Sequence, residues 1–113
     1  IAWNQFRQCW VSVFTQMNGK SSALGEIWYA ESDSPSGRWS NAVQVVTHDN
    51  YTFYNPRIHA EFTDPGSPIL LFEGTYTRTF AKDPPATPRY DYNQILYRLD
   101  LDGSDFAGSR KKP

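Results

Sequence analysis

The stretch Cys9-Trp10-Val11-Ser12-Val13-Phe14-Thr15 decides the fold class. It is a short run of β-branched and aromatic residues, the composition that suits a pleated surface rather than a helix. Four further runs have the same character: Glu26 to Ala30, Ala42 to Val46, Ile69 to Phe72 and Gln94 to Leu99. Turn clusters separate them, among them Asn18-Gly19, Ser34-Pro35-Ser36-Gly37, Asp64-Pro65-Gly66-Ser67-Pro68 and Asp83-Pro84-Pro85, and no capped 3.6-residue periodicity runs long enough for a sizeable helix. The chain reads as all-β. Val11 and Val13 stand on one side of the first run and Trp10 and Phe14 on the other, so the pattern predicts strands covered on both faces, as in a sheet stacked between two others or, alternatively, in a central strand of a sandwich.

The order of elements also repeats. Trp3-Asn4 and Tyr54-Asn55 lie 51 residues apart, a little more than the roughly 40 to 50 residues of a propeller blade. Each pair opens a segment followed by an apolar strand and then by a strand ending in acidic residues. The excess falls in the Asp64 to Pro68 turn and the Arg78 to Tyr92 loop. The expectation is about two antiparallel four-stranded propeller blades: residues 1–51, with strands near 2–6, 9–16, 25–32 and 42–48, and residues 52–102, with strands near 53–62, 68–76 and 93–101 and no clear fourth. Residues 103–113 read as a polar, disordered tail. Two repeat units do not cover their own apolar faces, so the chain is expected to assemble with itself or to be part of a longer one.

Composition narrows the function classes. In 113 residues, 11 Lys and Arg balance 12 Asp and Glu, for a formal net charge of -1. The one cationic cluster is Arg110 to Lys112, so nucleic acid is an unfavoured partner. No apolar stretch approaches the roughly 18 residues of a membrane span, and the first residues lack a signal peptide's charged and apolar regions. Cys9 is the only cysteine; it reads as a packed small side chain and leaves no intrachain disulfide or Cys-based zinc site. His48 and His59 have no metal-ligand spacing. Asp100 to Asp105 reads as a polar turn because the glycine and distal glutamate of a calcium loop are missing, and Asn50-Tyr51-Thr52 matches the glycosylation sequon. Phosphate loops, nucleophile elbows and dinucleotide fingerprints are absent, and no cofactor is implied.

A resemblance rests on four stretches. Trp28-Tyr29-Ala30-Glu31-Ser32-Asp33-Ser34-Pro35-Ser36-Gly37-Arg38-Trp39 resembles the strand and Gly-x-Trp corner that recur in five-bladed glycosidase-type propellers. Phe53-Tyr54-Asn55-Pro56-Arg57-Ile58-His59 resembles their innermost strand. With Leu71 to Thr77 and Pro88 to Asp100, residues 2–102 are similar to the C-terminal blades of bacterial secreted five-bladed β-propeller proteins of unknown function, distantly like the glycoside hydrolase family forty-three propellers. The resemblance implies a propeller, a secreted or periplasmic location, and a carbohydrate as ligand. It also implies that the early blades carrying the other catalytic carboxylates are elsewhere, so that this chain alone is not a complete hydrolase.

The candidate site residues follow from the inner strand and its neighbours. Asn55, Arg57 and His59 share one parity and are expected to project from one face beside Tyr54. Glu73 ends an apolar strand ahead of Gly74, where desolvation would raise a carboxyl toward general-acid duty; with His59 it forms the candidate catalytic pair. The alternative is that Glu73 is ion-paired to Arg57, Arg78 or Arg89. In the proline-rich loop from Thr77 to Asn93, Arg89, Tyr90 and Asp91 combine planar donors, a carboxylate and an aromatic ring, as sugar recognition does. The competing function is a non-catalytic scaffold or interaction module that self-associates.

Overall fold

The computed structural model describes residues 1–19, 23–48, 50–87 and 90–107. Seven strands form two antiparallel sheets. The first sheet has the order β1 (Ala2–Asn4), β2 (Cys9–Met17), β3 (Leu24–Ser32) and β4 (Ser40–Val46); the second has β5 (Thr52–Ile58), β6 (Ile69–Thr77) and β7 (Tyr92–Asp100). The all-β reading and the four-plus-three division of strands are what the sequence predicts. Both sheets are open, with no closed ring, and none of the described helices is long and apolar enough to cross a membrane.

Alternation places one face of each sheet in a common core. Cys9, Val11 and Val13 from β2 and Ile27 and Tyr29 from β3 are buried together with Phe53, Leu70 and Phe72 of the second sheet. The sheets approach closely at Gly74: a Cβ there would lie 3.3 Å from Ile27 Cδ1, so a side chain at this position would push against the first sheet. Residues 1–51 and 52–102 therefore share their apolar interior.

Three features bear on the sequence reading. The first concerns the outward face of the four-stranded sheet, whose covering the sequence reading assigns to another copy or a longer chain and which is open within this one. Among the described residues no further sheet lies on it; Trp3 and Phe14 remain 45% and 40% exposed. Its aromatic rings cover one another instead, Trp3 meeting Trp10 edge to face at 6.0 Å, while the Trp28 indole N–H donates to Gln16 Oε1 at 2.7 Å.

The second is the supposed tail. Residues from 103 to 107 are ordered: Ser104–Phe106 forms a 3₁₀ turn, and Phe106 is buried with its ring 5.2 Å from that of Tyr29. Burying this ring stabilises the end of the chain by roughly 1.5–3 kcal/mol, which the polar composition around it conceals. The rest of the predicted tail lies outside the described residues.

The third is the aromatic-Asn repeat, whose two copies occupy different sheet positions. Asn4 ends β1 opposite Cys9, whereas Asn55 lies within a bulge of β5, between Tyr54 opposite Thr75 and Arg57 opposite Glu73.

A buried polar cluster joins the two ends of the chain. Arg7 Nε donates to Glu31 Oε1 at 2.7 Å, the Tyr29 hydroxyl donates to the same oxygen at 2.8 Å, and Asn41 Nδ2 donates to Oε2 at 3.2 Å. Asn41 reaches inward because β4 is bulged there and Asn41 adopts a φ of 55°, a conformation asparagine tolerates better than most residues. Arg7 also donates to the carbonyls of Leu101 and Phe106. Burial works against the guanidinium charge, yet the bond to Glu31 and its negative charge more than offset this and hold the Arg7 pKa above its ordinary value.

The interior also governs the tyrosines. Burial, followed by the charge of Glu31, raises the Tyr29 phenol far above its ordinary range; burial and neighbouring Tyr76 push Tyr97 up to about 12. These phenols stay neutral in the folded chain while the unfolded chain ionises near pH 10, so stability is intact below about pH 10 and declines as the pH rises toward 12. In an ultraviolet titration of tyrosinate, the native protein is expected to ionise later than the same protein in denaturant. Coincident curves would contradict the burial of these rings.

Candidate functional site

The outward face of the three-stranded sheet collects most of the predicted site residues. Tyr54 and Thr75, and Arg57 and Glu73, are direct cross-strand partners, and Glu73 in turn faces Leu96 of β7. Tyr54 and Arg57 are three residues apart, so strict alternation would put them on opposite faces. The bulge at Asn55-Pro56 absorbs the extra residue and restores them to one face. Asn55, at a φ of 54°, is exposed within the bulge. Asparagine followed by proline inside a strand was the available signal for this irregularity.

One end of this face is aromatic. The Tyr54 ring lies 5.8 Å from Phe80 and 5.8 Å from Tyr92, in both cases nearly edge to face. The Tyr54 and Tyr92 hydroxyls are hydrogen-bonded to each other. That bond, with a small contribution from burial, pushes the Tyr54 phenol up to about 12. Phe80 and Tyr92 are each 52% exposed, so the cluster presents ring surface to solvent. Edge-to-face pairing is the favoured arrangement of such rings and fixes their orientation. Phe80 was not among the sequence candidates, because nothing local indicates that the loop brings it back to Tyr54.

The loop that delivers Phe80 is tied down at several points. Arg78 Nε pairs with Asp91 Oδ1 at 2.8 Å, and Arg78 N–H donates to the Asp91 carbonyl at 3.3 Å. The Thr77 hydroxyl also bonds that carbonyl, and the Tyr51 hydroxyl donates to the Ala86 carbonyl at 3.0 Å. A shallow, polar hollow of about 550 Å³ lies beside the Arg78 and Asp91 pair, with Thr79, Asp83 and Pro84 on its walls. Tyr90 is 70% exposed next to it in sequence. Arg89 lies outside the described residues.

The other end of the face centres on His59. Its Nδ1 is 3.1 Å from Glu61 Oε1 and its Nε2 is 3.4 Å from Glu73 Oε2, and the ring stacks on Phe62 at 4.6 Å with planes only 4° apart. The His59 side chain is 10% exposed, that of Glu73 32%. The Glu61 carboxyl is held below its usual range, first by a hydrogen bond from its own backbone and then by His59. Of the alternatives for Glu73, the structure brings it to His59 rather than to Arg78, which is engaged with Asp91.

This arrangement bears on hydrolysis. Glycoside cleavage uses two carboxyl groups about 5 to 9.5 Å apart with the sugar or a water between them. Here the imidazole itself stands between Glu61 and Glu73, with Nδ1 at 3.1 Å from Glu61 and Nε2 at 3.4 Å from Glu73. Among the described residues no group of three or more His, Cys, Asp or Glu side chains is arranged to hold a metal ion. Comparison of the chain with protein-family models, with curated proteins and with solved structures returns no match.

Proposed function

We propose that the chain is a carbohydrate-binding portion of a propeller-like protein, non-hydrolytic by itself, and that sugar binds on the outward face of the three-stranded sheet. The observation that carries this reading is the cluster of half-buried Tyr54 with exposed Phe80 and Tyr92, beside the hollow at Arg78 and Asp91. Rings accept the apolar face of a pyranose, while of a guanidinium and a carboxylate held by each other the first donates hydrogen bonds to its hydroxyls and the second accepts them. Arg57 extends the polar part of the surface toward Glu73. His59, between the two carboxylates, holds Glu61 through Nδ1 and stands beside Glu73 through Nε2. In the propeller assembly that belongs to this proposal, β5 is the innermost strand, and the outward aromatic face of the four-stranded sheet is where a neighbouring sheet would stack.

The test is titration calorimetry against a panel of neutral and acidic oligosaccharides, followed by Phe80→Ala. The exposed ring makes no core contact, so the variant is expected to fold normally and to bind its best ligand about three- to tenfold more weakly. An unchanged isotherm would remove the aromatic cluster from the site. The second reading, a non-catalytic interaction module, is favoured by the exposed Trp3 and Phe14; under it the whole panel is blank.

A further inference from the structure

Four strands stand at sheet edges: β1, β4, β5 and β7. An edge presents unpaired backbone N–H and C=O groups, and proteins ordinarily blunt it with short strands, bulges, proline or charge. Three of these edges are blunted. β1 has only 3 residues. The register of β4 against β3 is broken twice, and Asn41 adopts its left-handed conformation there. β5 carries Pro56 and the bulge at Asn55.

β7 is neither short, bulged nor interrupted by proline, and its charges, Arg98 and Asp100, are confined to its C-terminal end. Its 9 residues, Tyr92–Asp100, contain neither proline nor glycine, and every one of them pairs with β6, from Thr77 to Ile69, without a register shift. Among the described residues its other edge has no neighbouring strand. The first sheet continues past β3 to β4, whereas the second sheet stops at β7.

We propose that β7 pairs antiparallel with β7 of a second copy of this chain about a twofold axis, so that two three-stranded sheets become one of six strands. The sequence of β7 is complementary to itself in this orientation. With the axis at Leu96, the outward face sets Leu96 against Leu96 of the other copy, Gln94 against Arg98, and Tyr92 against Asp100. The core-facing side sets Ile95 against Tyr97 and Asn93 against Leu99. No like charges face each other, and Leu96, 55% exposed in the single chain, gains an apolar neighbour. Sliding the pair until Arg98 faces Arg98 would oppose two positive charges and shorten the ladder, which disfavours that register. The twofold partner of an isologous contact uses the same surface patch, and a self-complementary strand is what such a contact needs. This pairing stands independently of sugar binding.

The experiment is light scattering on a sizing column across a wide concentration range, with amide hydrogen exchange in β7 at high and low concentration. Wild type is expected to reach the mass of two 13.0 kDa chains and to protect its β7 amides as concentration rises. Leu96→Lys and Leu96→Glu each place like charges across the axis and are expected to raise the dissociation constant at least about tenfold. Mixing the two variants is expected to restore a dimer containing one of each. A wild-type chain that stays monomeric, a dimer indifferent to Leu96→Lys, a mixture that does not reassociate, or β7 amides unprotected in the dimer would each overturn the proposal. Sugar binding by the monomer is read separately, so its failure and the failure of this pairing are distinguishable.

Discussion

Replacing Glu31 by alanine is expected to destabilise the protein by about 3–5 kcal/mol, the cost of removing one partner of a buried ion pair. The side chains of Arg7 and Glu31 are 10% and 1% exposed, so alanine at 31 takes from a largely buried guanidinium the carboxylate at 2.7 Å. The Tyr29 hydroxyl and Asn41 amide lose their acceptor at the same time. Because domains of this kind have a total stability of about 5–15 kcal/mol, the loss is a large share of the whole. Arg7 also donates to the carbonyls of Leu101 and Phe106, so the C-terminal turn is expected to loosen with the pair. Removing both partners together, as Arg7→Met with Glu31→Met, is expected to recover much of the loss, since buried pairs and apolar replacements are often close in energy. Urea unfolding of the two single variants and the double variant measures this directly. Single-variant losses below about 1 kcal/mol, in the range of an exposed pair, would contradict the burial assigned to this cluster.

Phe72→Ala is expected to cost a comparable 3–5 kcal/mol or so, the usual penalty for a large-to-small change in a packed core. Phe72 is 1% exposed on the central strand of the second sheet, and its ring stacks at 5.0 Å on Tyr97. Its removal opens a void where both sheets contribute side chains, since Ile27 and Tyr29 of the first sheet belong to the same cluster. The prediction is therefore twofold: the unfolding midpoint drops, and the loss of both sheets remains one transition. Tryptophan fluorescence reports the four-stranded sheet, which carries Trp3, Trp10 and Trp28, and far-ultraviolet dichroism reports the whole chain. If the two probes separated in this variant, the shared core would not be the cooperative unit.

Much of the fold was legible because alternation, β-branched content and turn residues all pointed the same way from Cys9 to Leu99. Strand starts at Cys9 and Ala2, and strand ends at Ser32 and Asp100, follow the residues where composition changes. The second face of β2 was less legible. Trp10 and Phe14 read as covered residues; within the single chain their face is half-open and shielded by ring-on-ring packing, which composition does not distinguish from coverage by another sheet. The Arg7 and Glu31 pair was hidden for a different reason. Its members are 24 residues apart, and Glu31 reads as the start of an acidic turn; only the pairing of β2 with β3 and the bulge at Asn41 bring donors around it.

The site was legible in part. Tyr54, Arg57, His59 and Glu73 do gather on one sheet face, but strict parity excludes Tyr54 from it and includes Asn55, and the bulge reverses both assignments. Glu61 and Phe62 were missed because the chain leaves the strand after His59 and folds back as a 3₁₀ turn, Ala60–Phe62, which a period of two does not describe. Asp91 was predicted as a ligand residue and is found holding Arg78, an arrangement that shapes the hollow while leaving the carboxylate 58% exposed.

The central claim is that sugar binds at the aromatic end of the three-stranded sheet, and chemical-shift mapping on isotope-labelled protein tests it most directly. Titrated with the tightest oligosaccharide of the panel, the amides around Tyr54, Arg78, Phe80 and Tyr92 are expected to shift together and to saturate at one common dissociation constant. Shifts confined to the Trp3, Trp10 and Phe14 face of the other sheet, or none from any sugar of the panel, would contradict it.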